Sequence, residues 1–265
     1  MDHTGPDEQG VFRSGFVALI GRPNVGKSTL VNQLVGDKVA ITSPVAQTTR
    51  NRLRAILTTA EAQLILVDTP GIHKPHHLLG ERLVQSARAA IGEVDQVLLL
   101  LEGCEKPGRG DAFIVNLLQQ QRLPVQVVLN KWDKVPVDQR PQADAAYREL
   151  LAETDWPLLH CSALSGEGCP DLVAAISARM PEGPQLYPPD MVSDQPERLL
   201  MGELIREQVL AHTREEVPHS VAVQIERVER DVVVDHEHAA ALGERGGRVR
   251  AAAGVVRAHR AHVRA

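Results

Sequence analysis

From Phe16 to about Met180, short runs of apolar and β-branched residues alternate with longer stretches in which apolar positions recur every three or four residues. Such alternation is the mark of βαβ units around a mostly parallel sheet, because a strand buried on both faces needs a helix to cover it. Strands are expected at Phe16–Gly21, Leu53–Leu57, Gln63–Asp68, Gln96–Leu101, Val125–Asn130 and Leu158–Ser162. Helices are expected at Lys27–Val35, Leu78–Ile91, Arg109–Gln121, Gln139–Ala152 and Pro170–Arg179. The rhythm stops at Pro181, where "PEGPQLYPPDMVSDQP" is dense in Pro and Gly and reads as an interdomain linker over 181–197. A second, smaller α+β unit is expected over 198–235. It opens with Leu200, Leu204, Ile205 and Val209 at helical spacing and continues with Val221, Val223 and Ile225 alternating as in a strand. Residues 1–14 read as an unstructured tail and 15–180 as the main α/β domain.

Composition narrows this picture rather than changing it. A chain of 265 residues with 43% hydrophobic and 3% aromatic content can build one large core of Val, Leu, Ile and Ala plus a small module. No purely apolar run exceeds that of Val97–Leu101, against roughly 20 residues needed to cross a bilayer, and a cytosolic protein is expected. Cys104, Cys161 and Cys169 lack CxxC spacing and read as reduced structural thiols. The net charge of −5 is uneven: residues 236–265 carry six Arg and two Glu, or +4, leaving −9 on the rest. A contact with nucleic acid would therefore have to be local.

The chemistry sits in four short segments at strand ends. "GRPNVGKST" (Gly21, Arg22, Pro23, Asn24, Val25, Gly26, Lys27, Ser28, Thr29) satisfies GxxxxGK[ST] between a strand and a helix. In that context backbone N–H groups surround phosphates, Lys27 reaches the β- and γ-phosphates, and the Ser28 hydroxyl ligates Mg2+. "DTPG" (Asp68, Thr69, Pro70, Gly71) closes the third strand, where Asp68 can hold the metal shell and the Gly71 amide can sense the γ-phosphate. "NKWD" follows the fifth strand. The Asp133 carboxylate only accepts hydrogen bonds, so it can take N1–H and N2–H2 of guanine but would face an acceptor on adenine. Lys131 can lie along the base and Asn130 can tie this loop to the phosphate loop. "CSAL" ends the sixth strand, where the Ala163 amide is a donor for guanine O6; Ser162 and Leu164 flank it, and helix capping by Ser162 or Ser165 is the competing reading. Between the first two segments, "VAQTTRNR" offers Thr48 or Thr49, one and not both, as a second Mg2+ hydroxyl. His73, His76 and His77 beside Lys74, and His236 and His238, read as solvated polar positions rather than metal ligands. Trp132 and Trp156 read as packing residues.

With these motifs in place, "GRPNVGKSTL", "SPVAQTTRNR", "DTPGIHKPHHLLGERL", "NKWDKV" and "CSALSGEG" closely resemble the bacterial ribosome-assembly GTPases of the Era family. The likeness runs from about Gly15 to Val234. It implies a P-loop GTPase domain followed by the start of a KH-type RNA-binding domain. It also implies GTP hydrolysis coupled to binding the 3′ end of 16S rRNA and the 30S subunit, in a monomer that associates peripherally with the inner face of the cell membrane in some relatives. Ile72, counted with DTPG among the GTP-binding positions, stands where a Ras-like enzyme has a water-orienting Gln. Family resemblance therefore rests catalysis on Lys27, Asn24 and Gly71, with Asn24 helping to bind K+. Two alternatives remain beside hydrolysis tied to 30S assembly: a nucleotide-gated binding switch with negligible hydrolysis, and a GTPase with another RNA target such as tRNA modification.

"GERGG" at Gly243–Gly247 has the GxxG form of a KH clamp, yet no Ile/Val strand leads into it, and from His236 onward only seven residue types occur. That bias reads as GC-rich codons out of frame, so the KH half is expected to be truncated or frameshifted. Translating the gene in the other two frames tests this: an Ile/Val strand followed by GxxG is expected in one of them.

Overall fold

The computed structural model describes residues 11–42, 53–72, 78–212, 223 and 225. By backbone contacts the chain divides into two units, 1–195 and 196–265.

The first unit is a six-stranded sheet with helices on both faces. Its elements are β1 (Arg13–Gly21), α1 (Lys27–Val35), β2 (Leu53–Thr58), β3 (Ala62–Asp68), α2 (Leu78–Ile91), β4 (Gln96–Glu102) and α3 (Arg109–Gln119). Then follow β5 (Val125–Asn130), α4 (Arg140–Leu150), β6 (Leu158–His160) and α5 (Cys169–Ser177). The strand order is β2-β3-β1-β4-β5-β6. All neighbours are parallel except β2 and β3, which pair antiparallel. β3 and β5 are buried along their whole length and β4 up to its last residue, as strands covered on both faces must be.

Period-two alternation divides the strand residues between two cores. Val17, Leu19, Leu64, Leu66, Leu98 and Leu100 pack with Leu30, Val31, Leu172 and Ile176 of α1 and α5. Ala18, Ile20, Val97, Leu99, Val127 and Leu129 pack on the other face with Ile91, Ile114, Leu118 and Tyr147. From β1 the chain moves to β3 on one side and to β4 on the other, so the sheet's switch point lies at the end of β1, where open α/β sheets bind ligands.

Residues 181–195, expected as part of a linker, are fastened to the first unit. Ser14 N–H donates to Pro181 O and Gly183 N–H to Phe12 O. Gln63 Oε1 accepts from the amides of Leu186 and Tyr187, while its Nε2 donates to Tyr187 O. Farther on, Ile56 N–H donates to Val192 O, Ser193 Oγ donates to Arg54 O, and Arg54 pairs with Asp194 at 3.3 Å. Proline removes N–H groups but leaves carbonyls, so such a stretch can still cover a sheet edge by accepting bonds and lending side chains.

In the second unit α6 spans Glu197–His212. Its buried residues are Gly202, Arg206, Glu207 and Leu210, whereas Leu204, expected on the apolar face, is exposed. Arg206 is kept buried by an ion pair with Glu203 at 2.8 Å. The expected strand around Val223 and Ile225 lies almost wholly outside the described residues, as do the segments with Thr48, Thr49, His73 to His77 and everything from His236 on.

Candidate functional site

The site lies at the carboxyl ends of β1, β3, β5 and β6. After Gly21 the chain turns through Asn24, exposed and left-handed at φ 65°, and Gly26 at φ 95° into α1. A Cβ on Gly26 would run into Asn130 Nδ2, so both the dihedral and the space call for glycine. Among the described residues no side-chain hydrogen bond caps the N-terminus of α1.

Lys27 is 6% exposed and its ammonium donates to the carbonyls of Gly21 (3.2 Å) and Arg22 (2.9 Å). Loss of hydration pushes its pKa down to about 8, opposed in part by the Asp68 carboxylate. Ser28 Oγ donates to Asp68 Oδ2 at 2.7 Å. A hydroxyl and a buried carboxylate converging on one point are hard oxygen donors that suit Mg2+. Thr69 is buried with its hydroxyl donating to Leu19 O, which fixes the start of the DTPG turn. A Cβ on Gly71 would lie 2.5 Å from Pro23 N, so this glycine lets the DTPG turn close against the phosphate loop.

Asn130 joins three loops. Its Nδ2 donates to Val25 O at 2.8 Å, and its Oδ1 accepts the Ala163 amide at 2.9 Å and, at 3.5 Å, the Cys161 thiol. Lys131 stands left-handed at φ 61°, and Asp133 is exposed at the loop tip.

Several expectations change in detail. The Ala163 amide, expected as a donor to guanine O6, is bound to Asn130 Oδ1. The cap of α5 is Gly168 at φ 72°; Ser162 Oγ instead accepts the Ser165 amide and closes the CSAL turn. Ile72 lies wholly in the core with its N–H on Gly21 O, so its side chain has no path to a nucleotide. Leu164 is 76% exposed beside this region. Cys161 and Cys169 are buried, but Cys104 is exposed, because it stands on the turn after β4 rather than in a strand. Trp132 and Trp156 pack as expected, Trp132 with its ring centroid 4.1 Å from that of His160 and with the Arg140 guanidinium above it.

Two networks escape a motif reading. Arg22, of the phosphate loop, turns its side chain away: Nε donates to the fully buried Asp111 Oδ1 (2.8 Å) and Nη2 to Glu105 Oε2 (2.9 Å). Lys131 Nζ pairs with Glu102 Oε1. Their only signal in the sequence is acidic residues at and after the end of a strongly apolar strand.

Strand, phosphate loop, buried lysine and hydroxyl–carboxylate pair together define a P-loop nucleoside-triphosphatase domain. A family model described as "50S ribosome-binding GTPase" matches residues 16–131. GTPase Era of Synechocystis sp. is 57% identical over 92% of this chain and 77% of that protein, and GTPase Era of Nostoc sp. is 58% identical over 82% and 67%. Among solved structures, Era in complex with MgGDPNP and nucleotides 1506–1542 of 16S ribosomal RNA is 39% identical, with a TM-score of 0.77 over 83% of this chain and 74% of that one. Aquifex aeolicus Era bound to GDP and AlF4− superposes with a TM-score of 0.76 at the same identity and coverage. The chain belongs to the Era family of GTPases, and its reaction is the hydrolysis of GTP.

Proposed function

We propose that GTP binds across the phosphate loop and NKWD, and that its hydrolysis is coupled to binding the 3′ end of 16S rRNA during assembly of the 30S subunit. The observation that carries the nucleotide reading is Asn130: one amide ties the base-reading loop to Val25 of the phosphate loop and to Ala163 of the CSAL turn. In this reading residues 21–29 and the α1 N-terminus cradle the phosphates, Lys27 holds the β- and γ-oxygens, and Asp133 accepts from the guanine edge. Ser28, Asp68 and one of Thr48 or Thr49 would hold Mg2+, which when bound neutralises charge between the β- and γ-phosphates. Water attacks the γ-phosphorus, the bond to the bridging oxygen breaks, and GDP and phosphate leave.

With Ile72 sealed in the core, its side chain is not placed to orient that water. Asn24, exposed on the phosphate loop, is our candidate for a K+ ligand that supplies charge where an arginine finger would. Turnover in KCl is expected to exceed that in NaCl, and Asn24→Ala to abolish the difference; equal rates for the unmutated protein would remove this role.

The RNA reading draws on the solved Era complex with 16S rRNA and on the extent of the chain's likeness to it. We assign the RNA contact to the start of a KH-type domain over 198–235 and none to the basic tail, and the work to the cytoplasm. An oligonucleotide of the 16S rRNA 3′ end should bind at least tenfold more tightly with GDPNP than with GDP. No binding in either state would overturn the assignment, and preference for tRNA would favour the alternative target.

A further inference from the structure

We infer that Glu102, which belongs to none of the GTPase motifs, positions the Lys131 side chain for guanine binding; this rests on the reading of NKWD as the base site. Glu102 is the last residue of β4 and lies in parallel register with Asn130, the last residue of β5. That register brings its carboxylate to Lys131 Nζ, with Oε1 2.5 Å away. The pair is largely shielded, its side chains being 24% and 13% exposed, so it is less screened than a surface ion pair.

The backbone of Glu102 is itself clamped. Its carbonyl accepts the Tyr147 hydroxyl at 2.8 Å, and Tyr147 is fully buried. The next residue, Gly103, donates its N–H to Asn130 O at 2.8 Å. The carboxylate therefore stands on a rigid support, while the lysine projects from a turn held in the left-handed region, which a non-glycine residue adopts only when its surroundings require it.

A lysine lying along a base plane is best held with its stem extended and its ammonium on a fixed acceptor, here the Glu102 carboxylate. Without Glu102 that ammonium would be free to leave the base face for water, and binding would have to order a flexible chain. Glu102 thus pre-orders the face contact, whereas Asp133 reads the base edge. The two contributions separate: loss of Glu102 weakens all purines that share the face and leaves the choice among their edges unchanged.

The test is the release rate of fluorescent mant-GDP and mant-IDP from four proteins: the parent, Glu102→Gln, Lys131→Met and the double variant. Glu102→Gln keeps shape and Lys131→Met keeps the apolar stem, and nucleotide-free melting curves check that each is folded. Expected are roughly tenfold faster release of both nucleotides from Glu102→Gln, as for loss of one charge-assisted bond, and less than twofold further change when it is added to Lys131→Met. Equal effects in both backgrounds, or no effect of Glu102→Gln where Lys131→Met has one, would overturn the positioning role. If Lys131→Met itself leaves release unchanged, it is the assignment of NKWD to the base that fails. A variant that melts early and releases at the parent's rate would also count against the proposal.

Discussion

Asp133→Asn should exchange the preference of this GTPase from guanine to xanthine nucleotides. A carboxylate facing guanine accepts from both N1–H and the exocyclic amino group, and each charge-assisted bond contributes about 1.5–3 kcal/mol. An asparagine amide can accept from N1–H but presents its own N–H2 to the exocyclic donor, so one bond becomes a donor–donor clash and the other loses its charge. At about 1.4 kcal/mol per tenfold, GDP affinity should fall on the order of a hundredfold to ten-thousandfold. Xanthine carries a carbonyl in place of the amino group and pairs with both ends of the amide. Asp133 is exposed at its loop tip, so the fold has no stake in the change. Titration with mant-GDP and mant-XDP reads the result directly, and an unchanged preference would show that the edge is read elsewhere.

Lys27→Met is expected to stabilise the nucleotide-free protein while destroying its binding of GTP. The ammonium is almost completely buried, donates to the carbonyls of Gly21 and Arg22, and is brought by desolvation from a pKa of 10.5 to about 8 against the opposing pull of Asp68. Below pH 8 both the folded and the unfolded chain carry the proton, and the folded state bears the whole cost of burying it. Between pH 8 and 10.5 the unfolded chain holds a proton that the folded one has lost, so stability rises with pH across that window. The two pKa values differ by an amount equivalent to about 3 kcal/mol. Urea unfolding should therefore find the Met variant more stable than the parent by up to about that much at pH 7, with the advantage shrinking as pH passes from 8 toward 10.5. Binding of GTP should weaken at least a hundredfold, since the only buried cation of the phosphate loop is gone. A variant less stable than the parent at pH 7 would mean that the ammonium's hydrogen bonds to Gly21 and Arg22 outweigh its desolvation.

Much of the first unit was legible because its strands are short apolar runs and its helices have clear period. Lys27–Val35, Leu78–Ile91 and Val125–Asn130 have the limits read from pattern alone. Ends drifted where local chemistry intervened: a tight turn at Val137–Gln139 delays α4 to Arg140. The antiparallel β2–β3 pair left no usual turn signature, since "TAEA" contains no Gly, Pro or Asn. Its turn is made instead by Thr59, whose Oγ1 accepts the Ala62 amide and donates to Ala62 O. The face of α6 was misread at Leu204 because a paired Arg206 took a buried position that hydrophobicity would not assign to it.

By itself the order of residues determined which groups are available and on which loops they stand: the phosphate loop after β1, DTPG after β3, NKWD after β5, CSAL after β6. These are local properties, set by strand-to-helix turns of a few residues and by the donors and acceptors each side chain carries. Only the tertiary structure decided how those groups are spent. Asn130 takes the Ala163 amide, Arg22 turns to Asp111, Ile72 enters the core, and Glu102 meets Lys131. The contacts of Asn130 and Glu102 join residues brought together by the β4–β5–β6 register, where a slip of one residue would send the side chain to the other face, while Arg22 and Asp111 join the phosphate loop to α3. Apolar spacing fixes which face a side chain takes but not which residue of the neighbouring strand it meets, so the pairing is settled only when the whole sheet packs.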